Sequence, residues 1–171
     1  MMIRILLVAS LLTFLGSDLA AFQASDRVPQ FRDYPVKEVY RRKTAPLVLT
    51  RKDRMYRTML SEAAKTQKPN FAGHYILTYW GCGTTCVDGA IIDAKTGRVY
   101  WWDFTVCCWP VEVEEPIVVK LNSRLIVFAG ARNEKENDIG THFYKFQNGR
   151  FVHVRSVLNT KPDRTKVLRL Q

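Results

Sequence analysis

The sequence predicts an α+β protein in which a mainly antiparallel sheet of about six to eight strands, arranged as meander hairpins, packs against one amphipathic helix near residues 51–67. Three observations predict this fold. From residue 73 onward, short runs of β-branched and aromatic residues are separated by Gly, Asn, Asp and Pro. Two of the separating segments end in Gly-Arg and are typical of hairpin turns. A single helical apolar pattern precedes the strands.

The first residues are typical of a cleavable secretory signal peptide. Arg4 supplies one positive charge before an apolar run of 12 residues, 5–16. This run is shorter than the roughly 20 residues that a membrane-spanning helix needs, but it fits the hydrophobic region of a signal peptide. Cleavage is predicted after Ala21, and an anchor that is never removed is the alternative. The sequence therefore predicts an exported protein, periplasmic or secreted, with no transmembrane span after the signal peptide is removed.

The rest of the chain divides into three predicted segments. Residues 22–46 form a basic N-terminal arm, residues 47–158 a single β-rich domain, and residues 159–171 a basic C-terminal tail. About 150 residues remain after cleavage, which is a common size for one domain with its own core.

The net charge of +10 lies at the two ends of the chain. Residues 22–68 contribute +7, residues 69–150 contribute −1, and residues 151–171 contribute +4. Basic ends favour anionic partners, such as an acidic envelope protein, a glycan or an anionic surface. No nucleic acid partner is expected, because the protein is predicted to be exported. Scattered cations that only keep the chain soluble are the competing interpretation.

The helix candidate begins at Thr50, whose side chain can cap the helix while Asp53 reaches back to the Thr50 backbone. Pro69 ends it. An apolar stripe predicted to dock on the sheet comprises Met55, Met59, Leu60, Ala63 and Ala64.

Seven strands follow in the prediction. Asn148-Gly149 is the clearest turn signal, because a type I′ hairpin needs positive φ at both central positions. The predicted strands are residues 74–80, 86–93, 98–104, 117–120, 124–129, 141–147 and 150–157.

The four cysteines admit several pairings. Cys82 and Cys86 flank a predicted hairpin tip, where the local bridge between them is favoured. Cys107 and Cys108 would then be free thiols or a vicinal bridge, whereas crossed pairing with Cys82 and Cys86 would use all four. The C-x₃-C spacing followed by an adjacent pair does not match a zinc site, and no metal or cofactor is predicted.

A binding surface is predicted around the two cysteine segments, formed by His74, Asp88, Trp102, Trp109, Arg132, Glu134 and His142. Strand alternation would bury one of the adjacent Trp101 and Trp102 and expose the other. The polar segment 130–140 is long for a hairpin and is a candidate binding loop. A purely structural role for each histidine is the competing interpretation.

The segment GHY…WGCGTTC…DGAIIDAKTG resembles a group of small exported bacterial proteins without an established function. The similarity spans about residues 70–154, and its glycine and cysteine positions are the most specific. The resemblance implies an envelope or secreted location and supplies no catalytic residues.

The sequence therefore predicts an exported, disulfide-stabilised, non-catalytic binding or inhibitory module of the cell envelope. The alternative is a small envelope hydrolase that uses His74 or His142 with a nearby carboxylate. Asp88, Asp93 and Glu134 are the carboxylates considered for it. No motif of a known hydrolase is present, which favours binding over catalysis.

Overall fold

The computed structural model describes residues 27–159 of the 171-residue chain. The predicted signal peptide, its cleavage site and the tail beyond residue 159 lie outside these residues. Within residues 27–159 the fold is α+β with an antiparallel sheet of eight strands, as predicted. The elements are α1 (Arg51–Met55), α2 (Arg57–Thr66), β1 (Tyr75–Gly83), β2 (Cys86–Asp93), β3 (Val99–Trp101), β4 (Val106–Cys107), β5 (Ile117–Val119), β6 (Leu125–Arg132), β7 (Gly140–Gln147) and β8 (Arg150–Leu158).

The helical segment begins as predicted and is then interrupted. The Thr50 backbone N–H donates to Asp53 Oδ2 at 2.6 Å, and Thr50 Oγ1 accepts from the Asp53 N–H at 3.4 Å. Tyr56 leaves helical geometry with φ −110° and ψ 18°, which separates α1 from α2.

The predicted apolar stripe is correct only in its second half. Leu60 and Ala63 are buried against the sheet, but Met55 and Met59 are 76 % and 45 % exposed. Met55 precedes the break at Tyr56, so it does not continue the buried face of α2, and Met59 lies at the edge of that face.

The strands are arranged β1-β2-β4-β6-β7-β8, with β3 also paired to β2 and β5 also paired to β6. The sheet curls strongly, since the rings of Tyr75 in β1 and Phe146 in β7 lie 4.8 Å apart across its inner face. The inner core is therefore shared by both halves of the sheet. It includes Ile91, Trp102, Val106, Ile126, Phe128 and Tyr144.

Two layers cover the outer face. Residues 40–68, here called the helix layer, pack on β1–β3 around Leu60, Ile76 and Ile92. Residues 28–34 pack on the other half, against Leu125 and Phe143 among others. The described part of the predicted N-terminal arm is thus docked along the sheet.

The turn between β7 and β8 has the predicted backbone. Asn148 and Gly149 have φ of +53° and +73°, as a type I′ turn requires. By contrast, the predicted strand 98–104 ends at Trp101, and β4 follows as a separate two-residue strand that the sequence pattern does not indicate.

Candidate functional site

Three of the segments that the sequence singles out meet at one end of the sheet. β2 pairs with β4 through Cys86 opposite Cys107, and β4 pairs with β6 through Cys107 opposite Ala131. The β1–β2 hairpin tip, the segment after β4 and the loop after β6 therefore lie side by side. We call residues 81–86, 105–109 and 132–138 the loop end.

Both cysteine pairs of the loop end are disulfide-bonded in this structure. Cys82 and Cys86 close the hairpin tip with their Cα atoms 5.2 Å apart, and Cys107 is bonded to its neighbour Cys108. One member of each pair is buried and the other is exposed.

The loop after β6 is held by a charged network. The Arg132 guanidinium donates to both carboxylate oxygens of Asp138, from Nε at 2.7 Å and from Nη2 at 2.6 Å, and it also donates to the Tyr144 hydroxyl. These hydrogen bonds from Arg132 lower the pKa of Asp138, although burial opposes the shift. Glu134 is exposed on the same loop. Arg132 is thereby committed to fixing the loop, and Glu134 is free to contact a partner.

His142 is a structural residue and not part of a surface, which corrects the sequence-based expectation. Its ring is 0 % exposed. Nε2 lies 3.0 Å from the Gly130 carbonyl and 2.9 Å from the Asp138 carbonyl, and Nδ1 lies 2.8 Å from Ser156 Oγ. Burial, followed by the nearby positive charge of Arg132, lowers the pKa of His142. The imidazole is therefore held neutral beneath the loop after β6.

His74 is half-buried, but it lies at the opposite end of the β1–β2 hairpin from Cys82 and Cys86, so the structure does not bring it to the loop end as the sequence-based surface expected. Its Nε2 lies 3.7 Å from Asp93 Oδ1, beyond hydrogen-bond distance. Asp93 is occupied by its own turn, where its two oxygens accept from the Lys95 backbone N–H and the Thr96 hydroxyl at 2.8 Å each. Burial lowers the pKa of His74, and Asp93 partly offsets this. The hydrolase hypothesis thus depends on His74 and stays a prediction.

The prediction that Trp102 lies at a surface is also wrong, because its side chain is buried. It lies on the inner face of the curled sheet, with its ring 5.4 Å from Phe128 and 5.8 Å from Phe151. Its Nε1 has no hydrogen-bond partner among the described residues. Trp109 and Asp88 are half-buried and remain available at the loop end and on β2.

The helix layer has a basic surface that the search for sequence motifs did not identify. Nine Lys and Arg side chains lie between residues 41 and 68, and all nine are exposed. Only two acidic residues accompany them, of which Asp53 is buried and Glu62 is exposed. The uneven charge along the sequence was the available signal. The basic residues are Arg41, Arg42, Lys43, Arg51, Lys52, Arg54, Arg57, Lys65 and Lys68.

The helix layer also has exposed apolar side chains. Met55 and Met59 are joined by Val48, which is 59 % exposed. The half-buried rings of Tyr56, Trp80 and Trp101 form a cluster between this layer and the sheet, with centroids 4.9–5.7 Å apart. This basic layer with an apolar fringe is the second candidate surface.

Asp53 holds the aromatic cluster and the helix start together. Its Oδ1 accepts a hydrogen bond from Trp101 Nε1 at 2.8 Å, while Oδ2 caps α1. Burial alone would raise the pKa of Asp53, but hydrogen bonds from Thr50 and Trp101 outweigh it and hold the pKa below its ordinary value. A buried carboxylate thus anchors the basic layer to the sheet.

Two features are absent from residues 27–159. No three His, Cys, Asp or Glu side chains of this part come together as metal ligands would. None of its helices has the length and apolar character needed to cross a membrane.

Comparison of the whole chain with protein-family models, with curated proteins and with solved structures finds no match to any of them.

Proposed function

We propose that this chain is an exported, non-catalytic binding module of the cell envelope, and that it docks on an anionic lipid surface through the helix layer. The observation that carries the proposal is the charge of this layer, which has nine exposed cations and only one exposed acidic side chain. Within residues 27–159 none of these nine forms a salt bridge. Lys52 Nζ lies 4.5 Å from the centroid of the Trp101 ring, and the charges of the other eight are open to solvent or to a partner.

The apolar fringe favours a lipid surface over a soluble acidic polymer. Each Lys or Arg near an anionic membrane contributes about 1 kcal/mol of attraction. Side chains such as Met55 gain further free energy only when they enter the apolar part of the interface, as in helices that lie on a membrane. A hydrated glycan or an acidic protein loop offers the cations a partner but leaves Met55 in water.

Binding to vesicles tests this proposal. We expect the purified protein to sediment with vesicles that contain phosphatidylglycerol and not with vesicles of phosphatidylcholine alone. Raising the salt to about 1 M, which shortens the Debye length to about 3 Å, should release most of the protein. Equal binding to both vesicle types, or binding only to a soluble anionic polysaccharide or acidic protein, would contradict the proposal.

A pair of matched variants locates the surface. Arg54→Gln with Arg57→Gln removes two exposed charges from the helix layer, and at about 1 kcal/mol each this should weaken vesicle binding about 30-fold. Lys145→Gln with Arg150→Gln changes the net charge equally but lies on β7 and β8. This control should bind within about twofold of the wild type, because its charges stand outside the docking face. Equal losses in both variants would mean that only the total charge matters.

The apolar fringe has its own variant. Met55→Ser should leave stability nearly unchanged because the side chain is 76 % exposed, yet it should reduce vesicle binding and leave binding to soluble polyanions unaltered. Vesicle affinity unchanged by Met55→Ser would remove the argument for lipid over a soluble anion.

A further inference from the structure

The four cysteines are closer together than their two separate disulfides suggest. Cys86 on β2 lies directly opposite Cys107 on β4. The next pair along the ladder is hydrogen-bonded, since the Cys108 N–H donates to the Thr85 carbonyl at 3.2 Å. Pairs alternate in an antiparallel ladder, so Cys86 and Cys107 form a non-hydrogen-bonded pair with Cα atoms about 4.5 Å apart. That separation is within the range of a disulfide.

The two disulfides also share one pattern of exposure. Cys86 and Cys107 are 7 % and 2 % exposed and pack with Ala131 and Ile139 in a small apolar cluster. Their bonded partners, Cys82 and Cys108, are both exposed. An external thiol can therefore reach the outer cysteine of either bond, while the two inner cysteines share one buried apolar cluster.

The backbone beside the cysteines is held in an unfavourable conformation. Thr85 and Cys108 have φ of +49° and +58°, in the left-handed region that non-glycine residues seldom occupy. The two are hydrogen-bonded to each other across the ladder. Such conformations persist only where the surrounding structure enforces them, and they concentrate at functional sites. Opening the bond at Cys108 removes one of these constraints.

We propose that the four cysteines form a thiol–disulfide relay that oxidises an external dithiol. A thiolate of the dithiol attacks Cys108 Sγ, forms a mixed disulfide and releases Cys107 as a thiolate. Cys107 Sγ then attacks Cys86 Sγ, forms the Cys86–Cys107 bond and releases Cys82 as a thiolate, which takes a proton from water. The second thiol of the dithiol resolves the mixed disulfide and releases Cys108.

Electrons and protons balance over these reaction steps. The external dithiol loses two electrons and two protons and becomes a disulfide. The protein passes from two disulfides to one, with two new thiols at Cys82 and Cys108. The relay oxidises one dithiol per chain and is not a catalytic cycle, so it is compatible with a non-catalytic binding module and does not depend on the proposed lipid binding.

The environment of the inner sulfurs gives the relay its direction. A thiolate at Cys107 would be surrounded by Ala131, Ile139 and Cys86, and an apolar setting of this kind disfavours the charge. Attack on Cys86 moves the charge to Cys82, which is exposed and can be solvated. The remaining disulfide is the buried one that ties β2 to β4.

Peptide mapping after limited reduction tests the relay on the wild-type protein. Lys and Arg are absent between residues 69 and 94 and between residues 99 and 119, so trypsin leaves Cys82 with Cys86 on one peptide and Cys107 with Cys108 on another. The resting protein should yield two unlinked peptides. After dithiothreitol treatment that produces two thiols per chain, and alkylation, the two peptides should be linked through Cys86 and Cys107, with the label on Cys82 and Cys108. Label on Cys107 with Cys108, or on Cys82 with Cys86, and no linked peptide, would overturn the relay, as would a resting protein that is already cross-linked.

Two single variants reproduce the second step without a reductant. In Cys82→Ser the free Cys86 should attack Cys107, so the label should appear on Cys108 and the two peptides should be linked. The matched Cys86→Ser leaves Cys82 free without an inner acceptor, so the label should stay on Cys82 and the peptides should remain separate. Label on Cys86 in Cys82→Ser, with Cys107–Cys108 intact, contradicts the relay. If either variant fails to fold, the wild-type map still decides.

Discussion

Replacing His142 by alanine is expected to lower the free energy of unfolding by about 3–5 kcal/mol, the range for removing a large buried side chain whose hydrogen-bond partners stay behind. The ring is fully buried, and both the Gly130 and Asp138 carbonyls accept from Nε2. Since two acceptors face Nε2, that nitrogen carries the proton and Nδ1 accepts from the Ser156 hydroxyl. Alanine removes the partner of both carbonyls and leaves a cavity, while Ser156 keeps only its hydrogen bond to His153. Urea unfolding followed by tryptophan fluorescence measures the loss.

His153 provides the control for this variant. It is exposed and hydrogen-bonds to the same Ser156 hydroxyl at 2.9 Å. His153→Ala should change the free energy of unfolding by only about 0.5 kcal/mol, as surface substitutions do. Similar losses in the two variants would show that the shared serine, and not the burial of His142, determines the effect.

His142 should also make the free energy of unfolding depend on pH in acid. Burial lowers the pKa of His142 below 6.5 in the folded state, so the unfolded chain binds the proton first. The stability that the neutral ring contributes is complete above pH 6.5 and is lost as the pH falls through the folded-state pKa. His74 and His153 also have lowered pKa values and add to this slope. His142→Ala should therefore lose less stability than the wild type over the same acid range, and an unchanged slope would contradict the assignment.

The second large effect is expected at Asp53, where alanine should cost about 2–4 kcal/mol through the lost helix cap and the unpaired indole N–H. Both losses occur together because one carboxylate caps α1 and accepts from Trp101 Nε1. We expect the helix layer to loosen, with a lower midpoint in urea and a change in tryptophan fluorescence.

Asp33→Ala is a close control. Asp33 closes a similar capping box with Gln30, at 2.9 Å to its backbone N–H, but it is exposed and has no buried indole partner. Its loss should cost about 1 kcal/mol or less. Equal costs at Asp33 and Asp53 would show that capping alone matters and that the Trp101 hydrogen bond contributes nothing.

The pH dependence of Asp53 has a defined sign. Its pKa is held below the ordinary value of 3.8, so its contribution is present above that pH and is lost as the pH falls through the lower folded-state value. Asp53→Asn should flatten the acid limb of the stability curve below about pH 4.

Structural features that depend on residues close together in the chain could be predicted from the sequence. The capping box of α1 joins residues three apart, and the turn at Asn148-Gly149 depends on the conformational freedom of two adjacent residues. The long strands followed from their β-branched and aromatic content. The short strand β4 could not be predicted in this way, because a two-residue strand has no periodicity and forms only where β2 and β6 offer it a place.

The candidate sites depended more on the whole fold. Charge counting showed that residues 22–68 are basic, but their convergence with Met55 on one exposed layer required the break at Tyr56 and the docking of both helices on β1–β3. Trp102 was expected at a surface because strand alternation exposes one of the adjacent Trp101 and Trp102, and His142 because it lies at the start of a predicted strand. Their burial comes from residues far away in the chain, such as Phe128 for Trp102 and Ser156 for His142.

By itself, the sequence determined the fold class, the position of the helix start and the uneven charge, since each of these follows from composition or from residues within one turn of the chain. Only the tertiary structure decided which side chains are buried and which cysteines are neighbours. Cys86 and Cys107 are 21 positions apart, and it is the pairing of β2 with β4 that sets them opposite each other. Proximity of this kind results from strand pairing across the sheet, which no local pattern records.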